Sequence, residues 1–364
     1  MSSLRIIAQA PSNIALVKYM GKKDSTKNLP DNPSLSLTLS RLRRVVELSL
    51  VLGSGSSEVA WLPELPGLPG GCPGESPQLS EAGIKKVIQH VQRVRDQAPL
   101  LFAQWGISHH AERVKSSQLL LRTANTFPQA SGIASSASSF AALTLASAAA
   151  FTSSREKFEE IWKNEPRFKR SLAQISREGS GSSCRSFEGP WVEWSDDYAQ
   201  KVSDSQLHEL AHFVVLIKTD PKKVSSSEAH LRIKTSPLWK GRVKRTQDRV
   251  VELKAALKTG KLNTVAQIAW DEAWEMHSLF HTSEKPFTYW EPGTLVGLKY
   301  FEEAQKEWPS APIVTLDAGP NLHVLVLKQD QGYWRSKLQE IFPAQVLLED
   351  APGGGASLEL WEES

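Results

Sequence analysis

Two stretches of small, hydroxylated residues and a few charged side chains set beside glycines are where this sequence can do chemistry. The first stretch runs from Phe127 to Phe151, where Pro128, Gly132, Ser135, Ser136, Ser138 and Ser139 lead into an alanine-rich run. Free backbone N–H groups at a helix start, ringed by hydroxyls, suit an anion such as a phosphate. The same residues would also serve as an ordinary serine-capped start of a core helix. A second stretch, Gly179-Ser180-Gly181-Ser182-Ser183-Cys184-Arg185, repeats the small-residue theme and adds a guanidinium fork that matches carboxylate or phosphate. Asp317 ends an apolar run just before Ala318-Gly319-Pro320. There it can accept a proton and orient a hydroxyl, or simply begin a turn. Lys18 and Lys22 stand on either side of Gly21, able to neutralise a diphosphate or to solvate a strand end. His277 and His281 share a helical i,i+4 spacing, yet Glu275 precedes His277 and no third ligand is arranged. Packing or hydrogen bonding within the helix accounts for them better than a metal does.

These residues need elements to hold them. Residues 5–10 and 14–19 read as strand, broken at Pro11-Ser12-Asn13, and Ser34 to Ser40 alternates as a half-buried strand does. Arg44 to Leu52 reads as its partner, the two forming a hairpin-like pair around Arg41-Leu42-Arg43. Residues 53–79 are a Gly/Pro-rich loop, and 80–96 an amphipathic helix bearing Lys85 and Lys86 on its polar faces. Strands are expected at 107–114, 119–123 and 191–194, with helices near 154–164 and 167–177. In the second half strands are expected at 213–217, 312–316, 323–327 and 346–348. Helices are expected there at 226–234, 239–258, 262–279, 292–307 and 333–342. Lys222 to Ser227 again sets charge beside hydroxyls, at a helix start. The glycine run 353–355 suits either a close approach to a ligand or a frayed tail. This order of elements predicts an α+β protein with a largely antiparallel first sheet.

The composition narrows the classes. The chain has 364 residues, 40% hydrophobic and 23% charged, with 43 Lys+Arg against 40 Asp+Glu. That balance gives no argument for nucleic-acid or membrane partners but permits a basic pocket for a small anion. Cys72 and Cys184 make no disulfide framework, and the N-terminal MSSLRIIAQAPSN has no apolar leader, so a cytoplasmic location is expected. Walker A and dinucleotide glycine fingerprints are absent.

Taken together, the motifs resemble the diphosphomevalonate decarboxylases of the GHMP kinase superfamily. The phosphate loop is Pro128-Gln129-Ala130-Ser131-Gly132-Ile133-Ala134-Ser135-Ser136-Ala137. The decarboxylase-like segments are Ala10-Pro11-Ser12-Asn13-Ile14-Ala15 with Lys18-Tyr19 and Gly21-Lys22, Asn28-Leu29-Pro30, Gly179 to Ser186, Glu275-Met276-His277 and Asp317 to Asn321. Met20 departs from a tryptophan common in relatives, and Ser131 and Ile133 from alanine and leucine.

The resemblance implies a GHMP-kinase fold, with an N-terminal ribosomal-protein-S5-like domain over 1–195 and a C-terminal α+β sandwich domain over 196–364. It implies ATP-dependent decarboxylation of mevalonate 5-diphosphate to isopentenyl diphosphate through phosphorylation of the C3 hydroxyl. ATP and Mg2+ come with it, the metal carried by the nucleotide phosphates, and so does a homodimer. Asp317 would orient or deprotonate the C3 hydroxyl, Lys18 would keep Asp317 ionised, and Arg185 would grip the substrate carboxylate. Tyr19, Lys22, Ser180 and Ser182 would hold the diphosphate, and Asn13 would support the Asp317 region. Ser131, Gly132, Ala134, Ser135 and Ser136 would cradle the ATP phosphates. One of Lys85 and Lys86 would supply a further diphosphate contact. The alternatives are decarboxylation of the 5-phosphate, phosphorylation at C3 alone, another small-molecule kinase of the superfamily, and a non-catalytic ATP-binding protein on the same scaffold.

Overall fold

The computed structural model describes residues 3–363 except 52–53, 55, 57, 63–78, 111–116, 128–134, 221 and 308–310. In chain order the first half runs β1 (Ser3–Val17), β2 (Lys22–Asp24), β3 (Leu29–Pro30), β4 (Ser34–Val51), β5 (Val59–Trp61), α1 (Glu81–Trp105), β6 (Gln118–Asn125), α2 (Ser135–Phe151), α3 (Arg155–Asn164), α4 (Pro166–Gly179), β7 (Trp191–Ser195) and β8 (Tyr198–Lys201). The second half runs β9 (Leu210–Leu216), α5 (Ser226–Arg232), α6 (Arg242–Lys258), α7 (Leu262–His281), α8 (Pro292–Glu307), β10 (Ile313–Thr315), β11 (Leu322–Leu327), α9 (Gln331–Ile341), β12 (Val346–Asp350) and β13 (Ser357–Glu363). The α+β class expected from the sequence is the one observed.

The first sheet has seven strands, in the order β13-β1-β4-β6-β5, with β7 on the other half of β4 and β8 on β7. Among the described residues only the short β5–β6 pairing in this sheet is parallel. The expected hairpin at Arg41-Leu42-Arg43 is absent, because β4 runs through it as one strand. Its Arg44–Val51 half pairs with Ser3–Ala10 and its Leu35–Thr38 portion with residues 13–17, so β1 is likewise one strand with an irregular register after Pro11. Asp350 holds the middle of β4: its carboxylate accepts the N–H groups of Ser40, Arg41 and Leu42 at 3.0, 2.8 and 2.8 Å.

Helix α2 has apolar or small side chains all round, and it is buried from Ala137 to Phe151. It packs on β1 and β4, and its alanines let the backbones come close; larger side chains would overpack the contact by about 1–3 kcal/mol. Helix α1 begins at Ser80, whose hydroxyl accepts the Gly83 N–H, and ends at Gly106 in the left-handed region. It extends to Trp105, nine residues past the expected end, because Ala98, Leu101 and Phe102 continue its buried face.

The second sheet is antiparallel, in the order β10-β11-β9-β12. One face, through Leu210, Val214, Ile313 and Leu325, shares a core with α6, α7 and the Ile14–Val17 and Leu35–Leu39 segments of the first sheet. The other face, through Phe213, Val215, Val324 and Val326, packs on α8 and α9. The division expected at 195/196 falls between β7 and β8, which pair with each other. The last strand, β13, crosses back to the edge of β1. In the glycine run before it, Gly354 is exposed, but Gly353 and Gly355 lie against the chain's own backbone. An added Cβ at Gly353 would lie 2.5 Å from the Ser40 backbone, and one at Gly355 2.1 Å from the Phe187 carbonyl oxygen. Gly353 and Gly355 let the returning chain lie against its own backbone. Among the described residues no helix is long and apolar enough to cross a membrane.

Candidate active site

The end of β1, the start of α2, the turn after α4, the end of β10 and helix α5 converge on a cavity of about 500 Å³. Its described lining carries Lys18, Lys22, Lys86, Arg185 and Lys222 against Asp220 and Asp317. A surplus of cations in a partly enclosed space focuses positive potential and draws anions in.

Lys18 and Asp317 form its floor. The Lys18 ammonium is almost fully buried and donates to Asp317 Oδ1 at 2.9 Å. Burial pushes the Asp317 carboxyl up, but Lys18, His323 and Lys222 together bring it below the ordinary carboxylate value. Burial pulls Lys18 down against the opposing pull of Asp317 and Glu272. Backbone contacts fix both residues. The Lys18 N–H donates to buried Glu272 at 3.0 Å, and its carbonyl accepts from Asn32 at 2.8 Å. The Asp317 carbonyl accepts from His277 Nε2 at 3.1 Å. Burial drives His277 down to about 3, so its ring is neutral and the proton sits on the nitrogen that donates. Glu272 in turn is held by buried Arg242 and by Arg249.

Arg185 sits in the 3₁₀ turn Gly181–Ser186, itself buried. Its Nε and one terminal nitrogen donate to Asn13 Oδ1 at 3.2 and 3.1 Å, and the other terminal nitrogen to Ser34 at 2.6 Å. A guanidinium has five N–H donors, so one remains on each terminal nitrogen for an anion in the cavity. The turn needs Gly181, where an added Cβ would meet the Tyr19 ring at 2.7 Å.

The family described as diphosphomevalonate decarboxylase-like N-terminal domain matches residues 10–206, and the mevalonate 5-diphosphate decarboxylase C-terminal domain matches residues 212–357. The chain belongs to the diphosphomevalonate decarboxylase family. It is 30% identical over 340 residues to a diphosphomevalonate decarboxylase of Gibberella zeae, covering 90% of this chain and 82% of that one. Among solved structures, a mevalonate diphosphate decarboxylase from Legionella pneumophila shares 36% identity, with a TM-score of 0.75 over 94% of this chain and all of that one (100%). A complex of MDDEF with MVAPP, AMPPCP and magnesium shares 28% identity, with a TM-score of 0.77 over 98% of this chain and 99% of that one.

On this diphosphomevalonate decarboxylase scaffold the cavity gathers Lys18, Tyr19, Lys22, Ser135, Ser136, Ser180, Ser182, Arg185 and Asp317, all expected from the sequence. Asn13 is engaged with Arg185 and with Ser186, and it makes no hydrogen bond to Asp317. Ser131, Gly132 and Ala134 lie outside the described residues. Of Lys85 and Lys86, it is Lys86 that lines the cavity, its ammonium 5.1 Å above the Phe140 ring. His277 and His281 flank Trp290 and serve packing and hydrogen bonding. Cys184 is buried and its thiol is pushed up to about 12 by burial, which leaves it inert.

Sequence reasoning missed Lys222, His230 and Glu272 as parts of the site. Lys222 had a signal, the charge-and-hydroxyl cluster that it opens. Glu272 had a weaker one, an acid on the buried face of a helix between Ile268, Ala269 and Met276. A buried acid on such a face needs a partner, and its partners come from β1 and α6.

Proposed function

We infer that this chain catalyses the ATP-dependent decarboxylation of mevalonate 5-diphosphate to isopentenyl diphosphate, with release of ADP, phosphate and carbon dioxide. Family membership supports the reaction. The single structural observation that carries the assignment of roles is the buried Lys18–Asp317 pair at the floor of a cationic cavity, with two free N–H donors of Arg185 beside it.

The substrate's tertiary C3 hydroxyl is a poor leaving group until it is phosphorylated. Asp317 accepts a hydrogen bond from that hydroxyl and takes its proton late, as the oxygen attacks the γ-phosphorus of ATP. An alcohol is a far weaker acid than a carboxyl group held below its ordinary value, so an early transfer would be uphill. Lys18 keeps Asp317 ionised and counters the charge on the transferring phosphoryl group. Departure of phosphate leaves positive charge at C3, and the C–C bond to the carboxylate breaks to give carbon dioxide and the double bond. Arg185 holds that carboxylate in place for the step through its two remaining N–H groups.

Tyr19, Lys22, Lys86, Ser180 and Ser182 hold the diphosphate. Ser135 and Ser136, at the amino end of α2, receive the nucleotide phosphates. A solved relative, MDDEF, is in complex with MVAPP, AMPPCP and magnesium, which supports a substrate, a nucleotide and a metal as the ligands of this family's site. The residues fit a nucleotide-borne metal: hydroxyls at a helix start and a surplus of cations are a phosphate cradle. Magnesium would be held there by phosphate oxygens and a serine hydroxyl, and it would supply charge neutralisation. A cytoplasmic homodimer, expected from the resemblance, belongs to the same proposal.

Product analysis tests the reading. Purified protein with Mg-ATP is offered mevalonate, its 5-phosphate and its 5-diphosphate separately. The expected result is ADP and carbon dioxide together, from the 5-diphosphate only. Carbon dioxide from the 5-phosphate would move the substrate assignment, and ADP without carbon dioxide would overturn the role given to Arg185.

A further inference from the structure

His230 lies in α5 and is buried to 7% exposure in the wall of the same cavity. Its Nδ1 accepts the Gly21 N–H at 2.8 Å. A neutral imidazole has one donor and one acceptor nitrogen, so with Nδ1 accepting, the proton belongs to Nε2. Burial, with the charges of Lys22 and Lys234, drives this histidine down to about 3 and keeps the ring neutral. The ring packs against Tyr19, centroids 4.4 Å apart. The Tyr19 hydroxyl is buried and has no hydrogen-bond partner among the described residues. Nε2 of His230 also has no protein acceptor there. Two adjacent rings thus bring two unspent donors to a cavity wall beside Lys22. A buried donor left unsatisfied costs about 1–3 kcal/mol, which is tolerable in a site whose ligand supplies the acceptors.

We propose that His230 is a substrate-binding residue, whose Nε2–H donates to a phosphate oxygen of the substrate's diphosphate alongside the Tyr19 hydroxyl. A neutral donor adds specificity for oxygen acceptors without adding to the repulsion between Lys22 and Lys86, which both line the cavity. This rests on the reading of the substrate given above.

Two substitutions separate this role from the tether to Gly21. His230→Asn keeps an acceptor at the position of Nδ1 and removes Nε2. His230→Gln keeps a donor at the position of Nε2 and loses the acceptor. A hydrogen bond to a charged group corresponds to roughly a 10- to 100-fold change in affinity. His230→Asn is therefore expected to raise KM for mevalonate 5-diphosphate at least about tenfold with KM for ATP unmoved, and His230→Gln to recover part of that loss. Calorimetry with inorganic pyrophosphate reads the same contact without turnover, and weaker binding to the Asn variant is expected. Turnover with unchanged KM and pyrophosphate affinity in His230→Asn would overturn the proposal. So would a Gln variant that loses more than the Asn variant along with its thermal midpoint, since the tether would then be the whole role. If the wild-type chain fails to decarboxylate the 5-diphosphate while pyrophosphate binding still depends on His230, the donor stands and the substrate reading falls.

Discussion

The two ends of the cavity are built on opposite plans. At the floor nearly every polar group already has a protein partner. Lys18 is bonded through its ammonium, its N–H and its carbonyl, Asp317 through its carboxylate and its carbonyl, and Arg185 through three of its donors. At the other end, among the described residues, the Tyr19 hydroxyl has no hydrogen-bond partner and the Lys22 ammonium has only Asn28 at 2.7 Å, while Lys86 lies over an aromatic ring. One end is set before substrate arrives and the other is completed by it. Preorganised charge acts on the transition state without reorganising, whereas unpaired cations and donors contribute to capture. Substitutions at the floor should therefore lower kcat, and those at the anion-holding end should raise KM.

The largest break is expected from Asp317→Asn. Removing a positioned base costs about 10²–10⁴ in rate. The isosteric amide also leaves the buried Lys18 ammonium without its counter-ion, which places the loss toward the upper part of that range. Single-turnover release of carbon dioxide should fall at least about a thousandfold while nucleotide affinity stays close to wild type, and the thermal midpoint should drop because the ammonium is left buried and unpaired. Unchanged turnover would remove Asp317 from the chemistry and erase the distinction between the two ends.

Much of the floor could be read in the chain, because its chemistry sits next to strong local signals. Asp317 follows an apolar strand, Arg185 follows a run of small residues, and the alanines of α2 announce a buried helix wherever they occur. What could not be read depends on partners distant in sequence. The alternation from Ser34 to Ser40 suggests one buried face, but Ser34, Ser36 and Thr38 are as buried as Leu35, Leu37 and Leu39 because this part of β4 is covered on both sides. Nothing local shows where the strand stops. The feature that carries it through Arg41-Leu42-Arg43 is the carboxylate of Asp350, some 308 residues away. The glycine run 353–355 gives no local hint that it lies against Ser40 and Phe187. The spacing of His277 and His281 points to packing or hydrogen bonding, but nothing local shows that His277 donates to the Asp317 carbonyl, 40 residues away. His230 carries no local signal at all, since its meaning comes from Gly21 and Tyr19.

Acid should expose a cost shared by both ends. Burial holds His277, His230 and His90 down to about 3 and His323 to about 4. A group depressed in the folded state favours folding above its unfolded value, and that stability is lost as pH falls toward the folded value. The window therefore opens near the ordinary histidine value of about 6.5 and extends down to about 4 for His323 and about 3 for the other three. Each such histidine contributes a slope approaching about 1.4 kcal/mol per pH unit there. Urea unfolding at pH 7.5, 6.0 and 5.0 should show stability falling steadily across the series, and a flat profile would mean these rings are not neutral in the folded protein.

The finest test of the comparison is a pair of neighbours on α1. Lys86 lines the cavity and Lys85 does not, although both were equal candidates in the sequence. Burial and the charge of Arg93 lower Lys86, which marks a cation short of compensating anions until a ligand brings them. Lys86→Ala should raise KM for mevalonate 5-diphosphate by about tenfold, the scale of one lost charge-assisted contact, with kcat within about threefold. Lys85→Ala should leave both constants unchanged. The contrast also guards against a trivial outcome, because the two substitutions remove the same charge from the same helix and differ in whether that charge faces the cavity. Equal effects would reduce Lys86 to general electrostatic steering, recognisable by a loss that vanishes at high ionic strength. A fall in kcat at Lys86 with KM unchanged would instead place this lysine with the floor, and the line drawn between the two ends of the cavity would have to move.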